Sequence, residues 1–375
     1  MKNRVAVVRV DSYDEVEGGI RKAVSLIGGI KCFVARGSRV LLKPNLLSPN
    51  PPEKAVTTHP AVVEAVAKIV AEAGGHVLIG DSPMTVSLDK VAEVAGITAV
   101  ANKLGAELVP FRRSVVLSPP PLATFKKIEV AGEVVKADVL VNLPKVKTHD
   151  LMGLTLAVKN LFGCVVGKRK PQWHLKAGRD PRFFASLLLD LSLLLKPPLT
   201  IVDGVIGMEG EGPGSRGTTR RLGFVMAGED PLAIDFAIAY LLGVSPDKLP
   251  HLSEAKRRRL SDTNSFELLG DDLSGFPLSD FQMPRFPTVK SGLLSFLNRF
   301  FKKQLSTYPV VDDKRCILCE RCVSICPAKA MTKVNRRIAI DYRKCISCFC
   351  CHEVCPEGAI EVVEGWLARK AFLSG

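Results

Sequence analysis

The chain has 375 residues, of which 47% are hydrophobic, and a formal net charge of +14. This length holds one sizeable domain and a small one, with enough apolar content for a real core. The charge points to an anionic partner, but Tyr and Trp together number six and no nucleic-acid reading module is recognisable, so nucleic acid is set aside.

From residue 1 to about 250, strands and helices alternate. The opening MKNRVAVVRV reads as a strand over 5–10, not as a signal peptide. A helix over 13–26 follows. A short strand over 39–42 ends in Lys43-Pro44-Asn45. Thr58 is placed to cap a helix that starts at Pro60. The strand 76–79 ends in Gly80-Asp81-Ser82-Pro83, and helices over 88–95 and 99–104 come next. The apolar strand 137–141 ends in Asn142-Leu143-Pro144-Lys145, and the strand 199–202 ends in Asp203-Gly204. This alternation predicts an α/β domain with a largely parallel sheet. The longest apolar run, 183–195, is broken by Asp190 and is too short to span a bilayer.

Ligands of open parallel sheets sit beyond the carboxyl ends of strands. Lys43, Asn45, Asp81, Asn142, Lys145 and Asp203 all fall there. Strand ends are also where Asn, Asp and Pro gather for turn reasons alone; four such ends together favour a site. The densest stretch is 142–163, with Lys145, Lys147, His149, Lys159 and Asn160 among apolar residues. Lysines against an apolar wall bind anions, and burial lowers their pKa toward acid–base use. His149 is the candidate proton shuttle. A glycine-rich stretch, GVIGMEGEGPGSRGTT, surrounds Glu209 and is expected to approach an anion or act as a lid. Its spacing fits no dinucleotide fingerprint, and 163–168 fits no Walker loop. The catalytic candidates are therefore His149, Lys145, Lys147 and Asp81. The binding candidates are Lys43, Asn45, Asn142, Lys159, Asn160, Asp203 and Glu209.

Nine of the eleven cysteines lie beyond residue 310. Cys316, Cys319, Cys322 and Cys326 follow C-x2-C-x2-C-x3-C before Pro327, and Cys345, Cys348, Cys351 and Cys355 repeat it before Pro356. Structural zinc uses separated C-x2-C pairs. This run instead has the spacing of two-cluster bacterial ferredoxins, in which the fourth cysteine of each run reaches the other cluster. Two [4Fe-4S] clusters are expected, one on Cys316, Cys319, Cys322 and Cys355, the other on Cys345, Cys348, Cys351 and Cys326. Cys350 is read as packing. The usage fits a reducing cytoplasm.

LLKPN, TTHPAVVEAVAKIV with GGHVLIGDSP, LVNLPKVKTHDLMGLTLAVKNLFG and IVDGVIGMEGEGPGSRG together resemble the prokaryotic family catalogued as domain of unknown function 362. Its members often carry a C-terminal two-cluster ferredoxin. The resemblance implies that these motifs build a shared site and leaves the reaction open.

The organisation expected is an α/β domain over 1–255, a linker over 256–309 that carries a basic amphipathic helix at 292–305, a small α+β two-cluster ferredoxin-like domain over 310–365, and a tail over 366–375. Docking on the protein itself is the ordinary use of such a helix, and an anionic membrane surface is the other. The function expected is an iron–sulfur redox protein whose clusters pass electrons to or from an anionic small molecule or cofactor bound at the strand ends, with a ferredoxin-coupled oxidoreductase as the enzyme reading it leaves open. The alternative is a non-catalytic electron-transfer or maturation partner that docks another protein or a membrane surface. An extra organic cofactor without a short motif, such as a flavin, stays open.

Overall fold

A computed structural model describes residues 3–178, 180–261, 266–272, 278, 280–284 and 307–364. The helix expected at 292–305 and the 366–375 tail lie outside the described residues. The large sheet contains β1 (Asn3–Arg9), β2 (Arg39–Pro44), β3 (His76–Ile79) and β4 (Glu107–Leu108). A separate hairpin pairs β5 (Ser114–Leu117) with β6 (Ile128–Ala131). The sheet continues through β7 (Val139–Leu143), β8 (Lys145–His149), β9 (Gly153–Thr155), β10 (Leu199–Gly210), β11 (Gly217–Gly228) and β12 (Phe266–Gly270). Its order is β12-β1-β11-β10-β7-β2-β3-β4, with β8 alongside β10 and β9 alongside β8. Pairings of β2 with β3 and β7, and of β10 with β7 and β8, are parallel. Those of β11 with β1 and β10 are antiparallel. Among the described residues no helix is long and apolar enough to cross a membrane.

Strand alternation builds the core on both faces of this sheet. Val5, Val7, Phe224 and Met226 point into one apolar layer, packed against helices Pro181–Leu195 and Pro231–Leu241. Ala6, Val8, Val225 and Ala227 point into the other, against helices Val16–Leu26 and Pro60–Glu72. Pro144 separates β7 from β8, and the chain continues beside β10. A proline has no N–H for the ladder, which explains the break.

Two local expectations change. His59, not Thr58, caps the helix at Pro60, because Nδ1 of His59 accepts the amide of Ala61. Thr58 instead accepts the Asn45 amide and donates to the Leu143 carbonyl, tying the ends of β2 and β7 together. The stretch from 256 is not a free linker from its start. Arg258 reaches Asp190, 2.7 Å away and fully buried in the Pro181–Leu195 helix. Phe266–Gly270 then pairs with β1 as the sheet's edge strand. The sheet recruits these residues because β1 otherwise presents unpaired backbone groups.

The C-terminal segment folds as two short antiparallel ribbons, Thr307–Val311 with Ile360–Glu364 and Met331–Val334 with Arg337–Ile340. It follows the sheet domain as a small ferredoxin-like unit.

Candidate functional site

The two cysteine runs wrap identically. Leu318 and Ser347 take φ of 57° and 53°, and Glu320 and Phe349 take 59° and 58°. Left-handed residues alternating through a loop turn its N–H groups inward, which suits sulfur ligands around an anionic centre. Cys316, Cys319, Cys322 and Cys355 line one cavity of about 340 Å³. Cys326, Cys345, Cys348 and Cys351 line a second of about 340 Å³. Amides of Ala330 and Ala359 each donate to the sulfur of the fourth cysteine of a run at 3.2 Å. Among the described residues no three His, Cys, Asp or Glu groups gather closely enough for a single metal ion. Eight thiols around two cavities are instead a donor set for clusters that spread several irons between them. Cys350 is fully buried, packed with Ile325, Val354 and Met84.

In the sheet domain, seven candidates meet. Lys43, Asn45, Asp81, Lys147, His149, Lys159 and Asn160 line one cavity, with Lys170 and His174. Lys43, next to the end of β2, pairs with Asp81, just beyond β3, at 3.0 Å. Asp81 also accepts the amides of Leu46 and Ser82. Gly163 closes over this pair, and a Cβ there would lie 2.3 Å from both Asp81 Oδ1 and Lys43 Nζ. Asn142 lies beneath, accepting from Asn160 at 2.9 Å and donating to the Ala157 carbonyl. Lys147 donates to Asn45 Oδ1 at 2.8 Å and to the Val56 carbonyl at 2.6 Å. Burial, with Lys159 nearby, holds its pKa down at about 7. Burial likewise lowers Lys170 to about 8 and His174 to about 3. Lys159 is half-buried, with its ammonium 5.7 Å from the Phe162 ring centre, and its pKa is lowered by desolvation.

His149 is a neutral imidazole of fixed tautomer. Its Nδ1 faces the amides of Leu151 and Met152 at 3.1 and 3.3 Å. That nitrogen is therefore an acceptor, so the hydrogen sits on Nε2. Burial lowers its pKa further. A proton-shuttling imidazolium would break both amide contacts, so the geometry favours a hydrogen-bond donor instead.

The other candidates separate. Lys145 and Asp203 form their own fully buried pair at 2.8 Å, capped by the Tyr13 hydroxyl, whose ring stacks on His59 at 3.5 Å. Burial lowers the Lys145 pKa despite Asp203. Neither residue lines the cavity, because β10 advances from Asp203 to Met208 while β8 advances from Lys145 to Lys147. Glu209 also lies apart, held by Arg220 at 3.0 Å and by the Gln282 amide.

The glycine-rich loop straps the two segments together, and its Pro213 lines the cavity. Its Ser215 hydroxyl donates to the Cys355 carbonyl at 3.2 Å. Its Arg216 pairs with Glu361 at 2.9 Å, and Gly214 lies against the backbone of His352 and Glu353. The Cys350–Glu353 helix thereby presses into the sheet domain. His352 Nδ1 contacts Asp150 at 2.5 Å. Glu353 enters the cavity wall, with Oε1 2.9 Å from His149 Nε2 but off hydrogen-bond alignment. Burial would raise the Glu353 pKa, but the His149 N–H and the Lys159 charge hold it below the usual carboxylate range. Glu353 and His174 were not among the candidates. Glu353 carries no motif, and its proximity to His149 exists only after the segments dock.

The family described as a domain of unknown function (DUF362) matches residues 40–240, and a 4Fe-4S dicluster domain matches residues 308–356. A thylakoid-associated protein of Synechocystis sp. is 36% identical over 329 residues, covering 82% of this chain and 99% of that relative. Among solved structures, the lactate racemase apoprotein of Thermoanaerobacterium thermosaccharolyticum aligns with a TM-score of 0.36 at 13% identity, covering 52% of this chain and 50% of that one. A Thermotoga maritima protein from a structural genomics consortium aligns with a TM-score of 0.38 at 12% identity, covering 70% and 62%. The chain thus spans about half of the first structure and under two thirds of the second. The long motifs and the matched residues agree: the chain belongs to the DUF362 family and carries a C-terminal 4Fe-4S dicluster domain.

Proposed function

We propose that this is an iron–sulfur redox protein whose two [4Fe-4S] clusters exchange single electrons with an anionic small molecule held in the Lys147–His149–Lys159 cavity. The observation that carries the reading is the position of Glu353: it follows Cys351 by two residues and forms part of the cavity wall. The cavity and the Cys326–Cys351 thiol set are therefore neighbours, while Cys319 of the other set is exposed. Lys147, Lys159 and Lys170 would attract the anion and offset charge that develops on it. The neutral His149 would donate its Nε2 hydrogen to an oxygen of the molecule. Lys43 and Asp81 neutralise each other and fix the floor, and Leu46, Phe162 and Pro213 supply apolar wall. The family's unnamed chemistry leaves room for a further organic cofactor here.

A second reading, a redox-partner docking protein, draws on Ile317, which is 62% exposed beside Cys316. Both readings place the chain in a reducing cytoplasm. An association with thylakoids, which the name of the Synechocystis relative states for that protein, fits either one. The test is anaerobic purification with iron and sulfide counted per chain, followed by anion titration watched through the electron paramagnetic resonance of the reduced protein. About eight irons and a signal change in one cluster alone support the enzyme reading. Two full clusters untouched by any anion would remove it in favour of the docking protein.

A further inference from the structure

Four lysines line the cavity, and three of them are tied to the protein. Lys43 meets Asp81 and the Pro44 carbonyl, Lys147 meets Asn45 and the Val56 carbonyl, and Lys170 meets the Ser82 carbonyl. Lys159 differs. Among the described residues its Nζ makes no hydrogen bond and no ion pair, and it stands 5.7 and 5.9 Å from the centres of the Phe162 and Phe184 rings. Glu353 and Cys350 act on it only through space.

The turn that carries this amine is anchored at both ends. Asp235 accepts the Ala157 and Val158 amides at 2.7 and 3.1 Å. Asn160, the next residue after Lys159, donates to the Lys43 carbonyl and to Asn142. A firmly held turn whose lysine ties to nothing serves to place that amine in the cavity. Desolvation lowers its pKa, outweighing the Glu353 carboxylate, and the Lys43 charge adds to the lowering. An apolar wall and a neighbouring cation together are the conditions that make a lysine amine nucleophilic.

We propose that Lys159 binds its ligand covalently, forming an imine with the carbonyl carbon of a 2-oxo carboxylate. This rests on the anionic-ligand reading above and names the class of the anion. Lys159 is the charged group that acts most strongly on Lys147, so a carboxylate held at Lys147 sets the adjacent carbonyl carbon at Lys159. Lys159 sheds its ammonium proton to solvent, and the nitrogen lone pair adds to that carbon. The nitrogen then gives up two hydrogens and the carbonyl its oxygen, and these leave as water. No oxidant or reductant enters. Once protonated, the imine nitrogen carries the positive charge that the anion reading gives to Lys159.

The test uses anaerobically purified full-length protein at neutral pH, with glyoxylate and pyruvate as separate probes. Sodium cyanoborohydride reduces any imine to a stable amine, and peptide mass spectrometry locates it. The expected result is that Lys159 is labelled about tenfold or more faster than the exposed Lys90 and Lys103, and that inorganic sulfate slows the labelling. Lys159→Arg should lose the label at unchanged iron content. Label on Lys147 or Lys170 instead, or spread evenly over exposed lysines, overturns the assignment to Lys159. Absence of label at Lys159 in protein that binds sulfate by isothermal titration overturns the imine while the anion reading stands. Sulfate that neither binds nor slows labelling overturns the anionic-ligand reading itself.

Discussion

Glu353 Oε1 lies 2.9 Å from His149 Nε2, although one residue belongs to the dicluster segment and the other ends β8 of the sheet domain. Around this contact, Asp150 meets His352, Arg216 meets Glu361, and Met84 packs on Cys350. The two domains therefore share one polar wall, and perturbation of either side should be read out on the other.

Anion affinity should fall as pH rises. Burial holds the Lys147 pKa at about 7 against an ordinary 10.5. Its positive charge is full below that value and is lost above it. Each further pH unit then costs up to about tenfold in affinity for a ligand that requires the proton. Stability runs the other way: between pH 7 and 10.5 the unfolded chain holds a proton that the folded lysine has shed, so this group adds stability as pH rises. Calorimetric titration with sulfate at several pH values checks the first sign. In Lys147→Met the decline should shrink to the share due to Lys159 and Lys170, whose pKa values burial also lowers. An undiminished slope would remove Lys147 from the site.

Cysteine substitutions should sort by cavity and not by run. Cys319→Ala and Cys355→Ala should lose the same cluster, because both residues line one cavity. Cys326→Ala and Cys348→Ala should lose the other. Each variant should hold roughly half the iron of the unaltered protein, with circular dichroism of the sheet domain preserved. Grouping of Cys355 with Cys345 in the resonance spectra would contradict the crossed arrangement.

Asp150→Ala should loosen the domain contact without touching a thiol. It leaves His352 buried without its 2.5 Å partner. The cost is placed at up to about 3 kcal/mol, the low end for breaking a buried pair, since a histidine can shed its proton. Hydrogen exchange in the Cys350–Glu353 helix and in the 210–217 loop should rise together. Protection that stays level in both would mean the strap alone holds the segments.

Asp235→Ala should displace Lys159 from a distance. Asp235 accepts the amides of Ala157 and Val158 at 2.7 and 3.1 Å, opening the Ala157–Asn160 turn, and pairs with the fully buried His251 at 3.1 Å. Removing the carboxylate leaves two buried amides and an imidazole unpaired, a loss of roughly 3 kcal/mol or more at 1–3 kcal/mol for each group. The melting temperature and the sulfate affinity should both drop. Unaltered affinity in a destabilised but folded variant would confine Asp235 to a structural role.

The dicluster segment was legible from sequence because its ligands come in two compact runs whose spacing is the chemistry. The strands near 5–10, 39–42 and 76–79 and the helices at 60 and 88 were legible too, since side-chain alternation and apolar periodicity are local, whereas Gly217–Gly228 was not read as a strand because its glycines hide the alternation. The strand ends signalled a site, and Lys43, Asn45, Asp81, Lys147, His149, Lys159 and Asn160 do converge; the strand expected to stop at Asp203 instead runs from Leu199 to Gly210, so Asp203 lies within it. Sequence did not separate Lys145 from Lys147, two residues apart on β8. The irregular pairing with β10 sends the first to Asp203 and the second to the cavity. Glu209 looked like a site residue until Arg220, on the partner strand, claimed it. The tautomer of His149 depends on two amides just beyond β8, and the presence of Glu353 depends on the docking of a distant segment. Local pattern fixes which residues carry charge and which way a strand faces. Which charges are left unpaired around a cavity is decided only when the whole chain has closed, because each pairing there joins elements far apart in sequence.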